Sequence, residues 1–461
     1  MKHIWAIARL TLKAAVRSRF MIVFMILLVL GVAALPLMIR HNGTAAMLTQ
    51  VMLTYTLVLL TSLLLGATVW MACGAISTEV SGCQMQVLTT KPIARWQIWI
   101  GKWFGLVLIN AIFVAAIGVM IYGLLLWGAR GLPGPEQDLL KKKLLVARGT
   151  LGEEKVDRTA DIERIFQERM NSERADEVDP TVLREHIKEM VKTWDEVTPV
   201  NNRRRWELDF GAKGEYLQDK SLFIRVKMQA AQYDANDQVY TVRWVAGDAD
   251  SGEGYIARDV EMIHNAYREI EIPGSSIDKD GKLRLEAWNY SRGTLRFPMT
   301  DPLEVLYPEG SFEVNYVRCL LVILFWLATV AAVGLAASAF LTLPVASFLT
   351  ITILVVFMSG GLLSTIVKQR TIGDIDDETG RRTTALIDPY VVPLFKAVYK
   401  VVQLAEGASP IADISVGRSV PWKTVGFTFI QQIVLLGGMM AAGGIVLFNR
   451  REMAALQGGG S

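Results

Sequence analysis

The chain has 461 residues, of which 52% are hydrophobic, and its mean hydropathy is positive. Soluble globular proteins rarely reach that balance, so the composition predicts membrane segments. A formal net charge of only +3 argues against nucleic acid as the main partner. The 3 cysteines show no metal-ligand spacing and indicate neither a disulfide framework nor a zinc site.

Residues 1–18 begin the chain with an amphipathic pattern. Apolar Ile4, Ala8 and Leu12 oppose basic Arg9 and Lys13. Such a stretch is typical of a helix that lies in the membrane interface with its basic face toward anionic lipid. We therefore expect a cytoplasmic interfacial helix, and not a cleaved signal peptide, because no cleavage pattern follows.

Six apolar runs are long enough to cross a hydrocarbon core of about 30 Å. They predict an α-helical membrane protein with six transmembrane helices, three within residues 19–128, two within 317–367 and one at 426–448. These runs contain almost no charge, which disfavours an ion-driven transporter. The sixth run carries closely spaced small residues, which favour helix packing in a bundle or a dimer: Gly437, Gly438, Gly443 and Gly444.

The orientation follows from basic residues in the short loops. Six spans place the basic residues of 2–19, 91–102 and 450–451 on one side, which should be cytoplasmic. We therefore expect both termini inside and residues 129–316 outside; in a bacterial inner membrane, the outer side is the periplasm. The basic residues of 368–425 fall outside, but acidic residues nearly cancel them.

The insertion at 129–316 is predicted to be an α+β extracytoplasmic domain. Residues 136–197 show apolar stripes at helical spacing, whereas 205–308 alternate with period two, as expected for a β-sandwich. Its many aromatic residues favour a packed core over a sugar-binding or peptide-binding face.

The segment 368–425 is predicted to be extracytoplasmic and to contain an amphipathic helix at 390–405. Gly360 and Gly361 are candidates for a break in the fifth span. Residues 449–461 would be a cytoplasmic tail, and its terminal Gly-Gly-Gly-Ser is typical of a cloning remnant.

No catalytic or metal-binding constellation stands out in the sequence. A P-loop is absent, so the chain itself is not expected to bind nucleotide phosphates. Residues 247–252 could supply oxygen ligands to calcium, but their spacing does not match an EF-hand.

The loop 77–102, between the second and third spans, has an unusual set of residues. It combines Glu79 and Gly82 with Lys91-Pro92, Arg95 and Gly101-Lys102. Because Pro92 interrupts a helix, we expect two short elements, Thr78–Leu88 and Ile93–Lys102. They would form a polar docking surface on the cytoplasmic side. The alternative is lipid-headgroup anchoring by lysine and tryptophan.

This arrangement of an interfacial helix, six spans and a polar loop resembles that of the permease subunits of type-2 ABC exporters. The resemblance rests on Glu79-x-x-Gly82, on the run LTTKPIARWQIWIGK at 88–102, and on a sixth span that ends in FNRRE at 448–452. It implies a coupling helix at Thr78–Leu88 that docks on a separately encoded ATPase, which would bind ATP and Mg²⁺. The large insertion at 129–316 departs from the simplest members of that family.

The resemblance implies a non-catalytic permease subunit that works with a second copy of itself or a related permease. A mechanical function, without transport, remains a second hypothesis. In it, ATP hydrolysis moves the outer domain to regulate a periplasmic partner, and no substrate crosses the membrane. The sequence leaves the substrate and the direction of transport open.

Overall fold

The computed structural model describes residues 2–39, 44–82, 93–153, 157–171, 180–230, 239–247, 256–299, 301–369, 387–405 and 410–450. These residues form two compact units. The membrane unit contains residues 1–145 and 311–461, and the β unit contains residues 146–310.

The first half of the membrane unit is helical. Its helices are α1 (Lys2–Arg17), α2 (Arg19–Met38), α3 (Met47–Ser81), α4 (Arg95–Ala129) and α5 (Gly134–Leu139). A bend of 70° separates α1 from α2. Both α3 and α4 have 35 residues, and each is therefore about 52 Å long at about 1.5 Å per residue. They are longer than the hydrocarbon core is thick.

The β unit begins with a strand and then two helices. These are β1 (Val146–Gly152), α6 (Thr159–Met170) and α7 (Pro180–Glu196). The strands that follow are β2 (Val197–Thr198), β3 (Arg203–Asp209), β4 (Ser221–Lys227), β5 (Gln229–Ala230), β6 (Val239–Ala246), β7 (Ile256–Ile263), β8 (Tyr267–Pro273), β9 (Lys282–Asn289), β10 (Leu295–Arg296) and β11 (Glu304–Ser311). A short helix, α8 (Gly214–Leu217), lies between β3 and β4.

Two four-stranded sheets and one three-stranded sheet build this unit. Their strand orders are β1-β11-β4-β8, β3-β9-β6-β7 and β2-β10-β5. Buried side chains from both four-stranded sheets form one cluster, in which Trp206 and Trp244 stack with ring centroids 5.7 Å apart. The alternating pattern of 205–308 therefore corresponds to sheets that share one core. Six aromatic residues among those described lie in that core, whereas Tyr216, Tyr267 and Tyr290 are exposed.

The second half of the membrane unit returns to helices. They are α9 (Phe312–Ser338), α10 (Leu343–Met358), α11 (Gly360–Gln369), α12 (Asp388–Ala405), α13 (Pro410–Ser415) and α14 (Trp422–Arg450). The central helix is α9, which packs against α3, α4, α10 and α14. Glycine permits its approach to α3, because a Cβ on Gly334 would lie 2.7 Å from the Cβ of Ala72.

The number of candidate spans differs from the six that were expected. Among the described residues, four helices are long and apolar enough to cross a membrane: α3, α4, α9 and α14. A fifth is reached if the bent pair α1–α2 is one span. The run predicted as the fifth span is instead divided into α10 and α11 at Ser359, beside the Gly360-Gly361 pair. With 16 residues, α10 alone is about 24 Å long and too short to span.

Two other boundaries differ from those expected. Residues 129–145 belong to the membrane unit, where Leu132 and Leu140 join its core. The stretch 136–197, which was expected to be helical, contains the strand β1. The helices expected nearby are present in α6 and α7, and so is α12 at the place of the amphipathic helix 390–405.

Candidate functional site

The first three turns of α4, residues 95–105, contact α1, α3, α9 and α14 and are called here the α4 junction. The helix begins at Arg95, after Ala94 in extended conformation, and continues without a break into the apolar span. The predicted short element Ile93–Lys102 is therefore the start of a long helix. Of the other predicted element, residues 78–82 are described, and Thr78–Ser81 are the end of α3.

A buried ion pair joins the α4 junction to α3. The Lys102 ammonium lies 2.5 Å from Glu79 Oε1 and donates a second hydrogen bond, of 2.8 Å, to the carbonyl of Ala75. Ala75 and Glu79 are one helical turn apart and so present both acceptors on one face of α3. The Lys102 side chain is only 5% exposed. Separation of α3 from α4 would therefore expose its ammonium group to water or leave it buried without the Glu79 carboxylate.

Arg95 joins the α4 junction to the end of α14. Its Nη1 donates hydrogen bonds of 2.9 Å to the carbonyls of Phe448 and Asn449. The last carbonyls of a helix lack partners within the helix and carry its negative dipole end. A guanidinium satisfies both needs at once. This contact between residues 353 positions apart was not predicted.

Two glycines fit the α4 junction against α1. A Cβ on Gly101 would lie 2.8 Å from the Cβ of Ile7, and one on Gly105 would lie 2.8 Å from the Cβ of Thr11. Because positions i and i+4 share a helix face, the two glycines form a shallow groove that receives α1. The apolar face of α1 therefore packs on protein through Ile7 and Ala8.

The remaining predicted residues of the loop have different placements. Gly82 follows the last turn of α3, and its N–H donates to the carbonyl of Thr78 at 2.9 Å. Lys91 and Pro92 lie outside the described residues, as do positions 83–88 of the predicted coupling helix. The structure thus brings Glu79, Arg95, Gly101 and Lys102 to one end of the helices.

The glycines of α14 divide into two groups. A Cβ on Gly444 would lie 2.9 Å from Trp99 Nε1 and 3.0 Å from the Cα of Ala336, so this glycine fits α14 against α4 and α9. Gly438 and Gly443 have no atom of another element within 4 Å among the described residues. Gly437 meets only the carbonyl of Gln432, at 3.2 Å, in its own helix.

A cavity of about 480 Å³ lies between α1, α3 and α4 beside the ion pair. Apolar side chains such as Leu10, Trp70 and Leu106 form most of its wall, and Glu79 and Lys102 contribute the charges. The second carboxylate oxygen of Glu79 is buried without a hydrogen-bond partner among the described residues.

Sequence reasoning missed Gly105, Trp99 and Ala75. Gly105 had a signal, since it repeats Gly101 at the i+4 spacing of a helix-packing groove. Trp99 was considered only as an interfacial anchor, but it is 1% exposed inside the bundle. Ala75 acts through its carbonyl, which no side-chain pattern reveals.

Among the described residues, no group of three or more His, Cys, Asp or Glu side chains could hold a metal ion. Comparison of the chain with models of protein families, with curated proteins and with solved structures gave no match. The chain is a multi-pass helical membrane protein. It carries an antiparallel β-sheet domain between its spans.

Proposed function

We propose that this chain is the membrane-spanning permease subunit of an ATP-driven ABC exporter. The observation that carries the proposal is the α4 junction. Glu79, Arg95 and Gly101 lie at one end of the bundle and connect α4 to three other helices there. A force applied to the connection between α3 and α4 would therefore reach α1, α3 and α14 together.

The length of the helices supports this mechanical role. Since α3 and α4 are each about 52 Å long, each exceeds a hydrocarbon core of about 30 Å by several turns. The ends that carry Glu79 and Arg95 would project toward a soluble partner as rigid levers. The ion pair between Lys102 and Glu79 would keep α3 and α4 aligned, so that the two helix ends move together.

A separately encoded ATPase would supply the energy. It would bind ATP and Mg²⁺, because this chain has no P-loop. A second copy of the chain, or a related permease, would complete the pathway. The open side of α14 at Gly438 and Gly443 offers a surface for that contact, since small residues let helix backbones approach closely.

Co-expression with an ATPase encoded beside this chain tests the proposal. The wild-type chain should co-purify with the ATPase, and Arg95→Ala should leave the complex intact but lower ATP hydrolysis coupled to transport. Arg284→Ala, on an exposed strand position of the β unit, is the matched control and should have no effect. If no ATPase ever associates with the folded chain, the proposal is wrong.

The compactness of the β unit favours a second candidate function. Residues 146–310 form their own unit with their own core, which is more structure than a loop between spans requires. In this alternative, ATP hydrolysis moves the β unit to regulate a periplasmic partner without transport. Deletion of 146–310 distinguishes the two, because retained transport would refute the mechanical role.

A further inference from the structure

A second groove lies on the membrane unit at the other end of α4. It is formed by α4 and α9, has a volume of about 450 Å³, and extends along residues 111–122 of one helix and 313–324 of the other. Eleven residue steps correspond to about 16 Å, roughly half of a hydrocarbon core of about 30 Å. The groove is thus as long as one leaflet of a bilayer is deep.

The body of the groove is apolar. Gly118 lies at its centre, where a Cβ would approach the Cδ1 of Leu320 to 2.6 Å. The Gly118 carbonyl is satisfied, because the Tyr316 hydroxyl donates to it at 2.9 Å. Exposed Ala115 and Val119 form the side of the groove that a bilayer would face. Such a surface fits a hydrocarbon chain.

The polar groups of the groove are concentrated at one end. The Tyr122 hydroxyl donates to Glu313 Oε1 at 3.1 Å. The Tyr122 ring stacks with Phe312 and Tyr316, with centroids 6.3 Å and 6.1 Å apart. Among the described residues that line the groove, Glu313 alone is charged. An aromatic ring beside a carboxylate, with no cation nearby in the lining, is complementary to an ammonium group.

We propose that this groove binds an amphiphile with a hydrocarbon chain and a cationic amine or quaternary ammonium headgroup. The chain lies along Gly118 and Ala115, and the headgroup contacts the Tyr122 ring and the Glu313 carboxylate. The N-terminus of α9 also stabilises that carboxylate. Because this carboxylate is stable even without a ligand, the test compares the binding of a cationic headgroup with that of a neutral and an anionic one. The proposal goes beyond the exporter function and does not depend on it.

The test uses the full chain in neutral maltoside micelles and three labelled probes with the same hexadecyl chain. Their headgroups are trimethylammonium, maltose and phosphate, and binding is measured by equilibrium dialysis. The wild-type chain should bind the cationic probe about tenfold more tightly than the phosphate probe. Glu313→Gln should remove that preference and leave binding of the maltose probe unchanged.

Two tryptophan substitutions test the position of the chain. Ala115→Trp fills the groove and should abolish binding of all three probes. Ala116→Trp is the matched control, because Ala116 is exposed on the same helix but does not line the groove. The thermal midpoint of each variant shows whether it is folded, and Glu313→Gln remains informative if Ala115→Trp is not.

The proposal is overturned if Glu313→Gln keeps the cationic preference, or if both tryptophan variants reduce binding equally. Extraction of co-purified lipid shows whether the bound amphiphile is a resident membrane lipid or a transient ligand. Amine-headed lipid retained by the wild-type chain but not by Ala115→Trp identifies a resident lipid. Rapid exchange of the cationic probe with no retained lipid identifies a transient ligand. Both results support the site.

Discussion

Ion pairs at the α4 junction and on the outer face of the β3-β9-β6-β7 sheet use similar side chains in different settings. On the sheet, Arg203 and Arg205 both contact Glu286, and Arg203 also lies over the Trp288 ring. At the junction, Lys102 and Glu79 form one buried pair between two helices. The sheet arginines are exposed and share one carboxylate, whereas the Lys102 side chain is buried and no second cation pairs with Glu79 among the described residues. Setting, rather than residue type, decides how much each pair matters.

The two units also differ in the kind of residue at which their elements pack together. The β unit is stabilised by large buried rings such as Trp206 and Trp244. The membrane unit is fitted together at small residues such as Gly101 and Gly444. Lipid provides little hydrophobic drive between helices, so close backbone approach at glycine adds to the packing of buried side chains such as Trp99 and Phe448.

Removing one partner of the junction pair should have the largest effect. Lys102→Met leaves the Glu79 carboxylate without its cation, and the free energy of unfolding should fall by about 3–5 kcal/mol. Chemical unfolding of the full chain in detergent measures this. Lys102→Met combined with Glu79→Gln should recover a large part of the loss. A double variant as unstable as the single one would show that the pair is not the cause.

A methyl group added at Gly101 should have the next largest effect. It would lie 2.8 Å from the Cβ of Ile7, so α1 must move, at a cost of about 1–3 kcal/mol. Gly123→Ala is the matched control on the same helix, because no atom lies within 4 Å of its added Cβ. The control should be neutral or slightly stabilising. Equal thermal midpoints for Gly101→Ala and Gly123→Ala would contradict the packing of α1 on α4.

Breaking the sheet pair should have a smaller effect. Arg203→Ala leaves Glu286 with Arg205 as a partner, and the free energy of unfolding should change by less than about 1 kcal/mol. Chemical unfolding followed by tryptophan fluorescence measures it. A loss as large as that of Lys102→Met would remove the contrast between the two regions.

The smallest effect should be a pH dependence in the β unit. Hydrogen bonds from Lys227 and Tyr267 lower the pKa of the Asp301 carboxyl. The carboxylate therefore stabilises the fold fully above its unfolded pKa of about 3.9 and loses that contribution as pH falls through the lower folded value. Asp301→Asn should be less stable than wild type at pH 6, and the gap should narrow progressively as pH falls below about 3.9. A gap that is independent of pH would contradict this linkage.

The apolar runs and the alternating pattern were sufficient to predict the helical membrane protein and its β domain. The strand β1 was missed because its burial does not alternate: Ala147, Arg148 and Gly149 are buried in succession, and one of them is an arginine. The Arg148 side chain is 1% exposed and is buried against Glu269 and the Phe223 ring. A buried arginine looks like a surface residue until its partner, 121 positions away, is known.

The site residues could be chosen from the sequence, but their contacts could not. Glu79 and Lys102 were both selected, yet their pairing depends on how α3 and α4 align, which composition does not set. Arg95 was expected on a polar docking surface, and its contact with the end of α14 was not foreseen. The break between α10 and α11 was foreseeable from Gly360-Gly361, although the number of spans was not.

Site-specific photocrosslinking shows whether an ATPase docks at the end of α3 that carries Glu79. A photoreactive residue at exposed Ser81, at the end of α3, is compared with one at exposed Tyr290 in the β unit, each in cells that co-express the ATPase. If an ATPase docks at this end of α3, position 81 should crosslink to it and position 290 should not. No crosslink from position 81 in a chain that is folded and inserted in the membrane would contradict this docking.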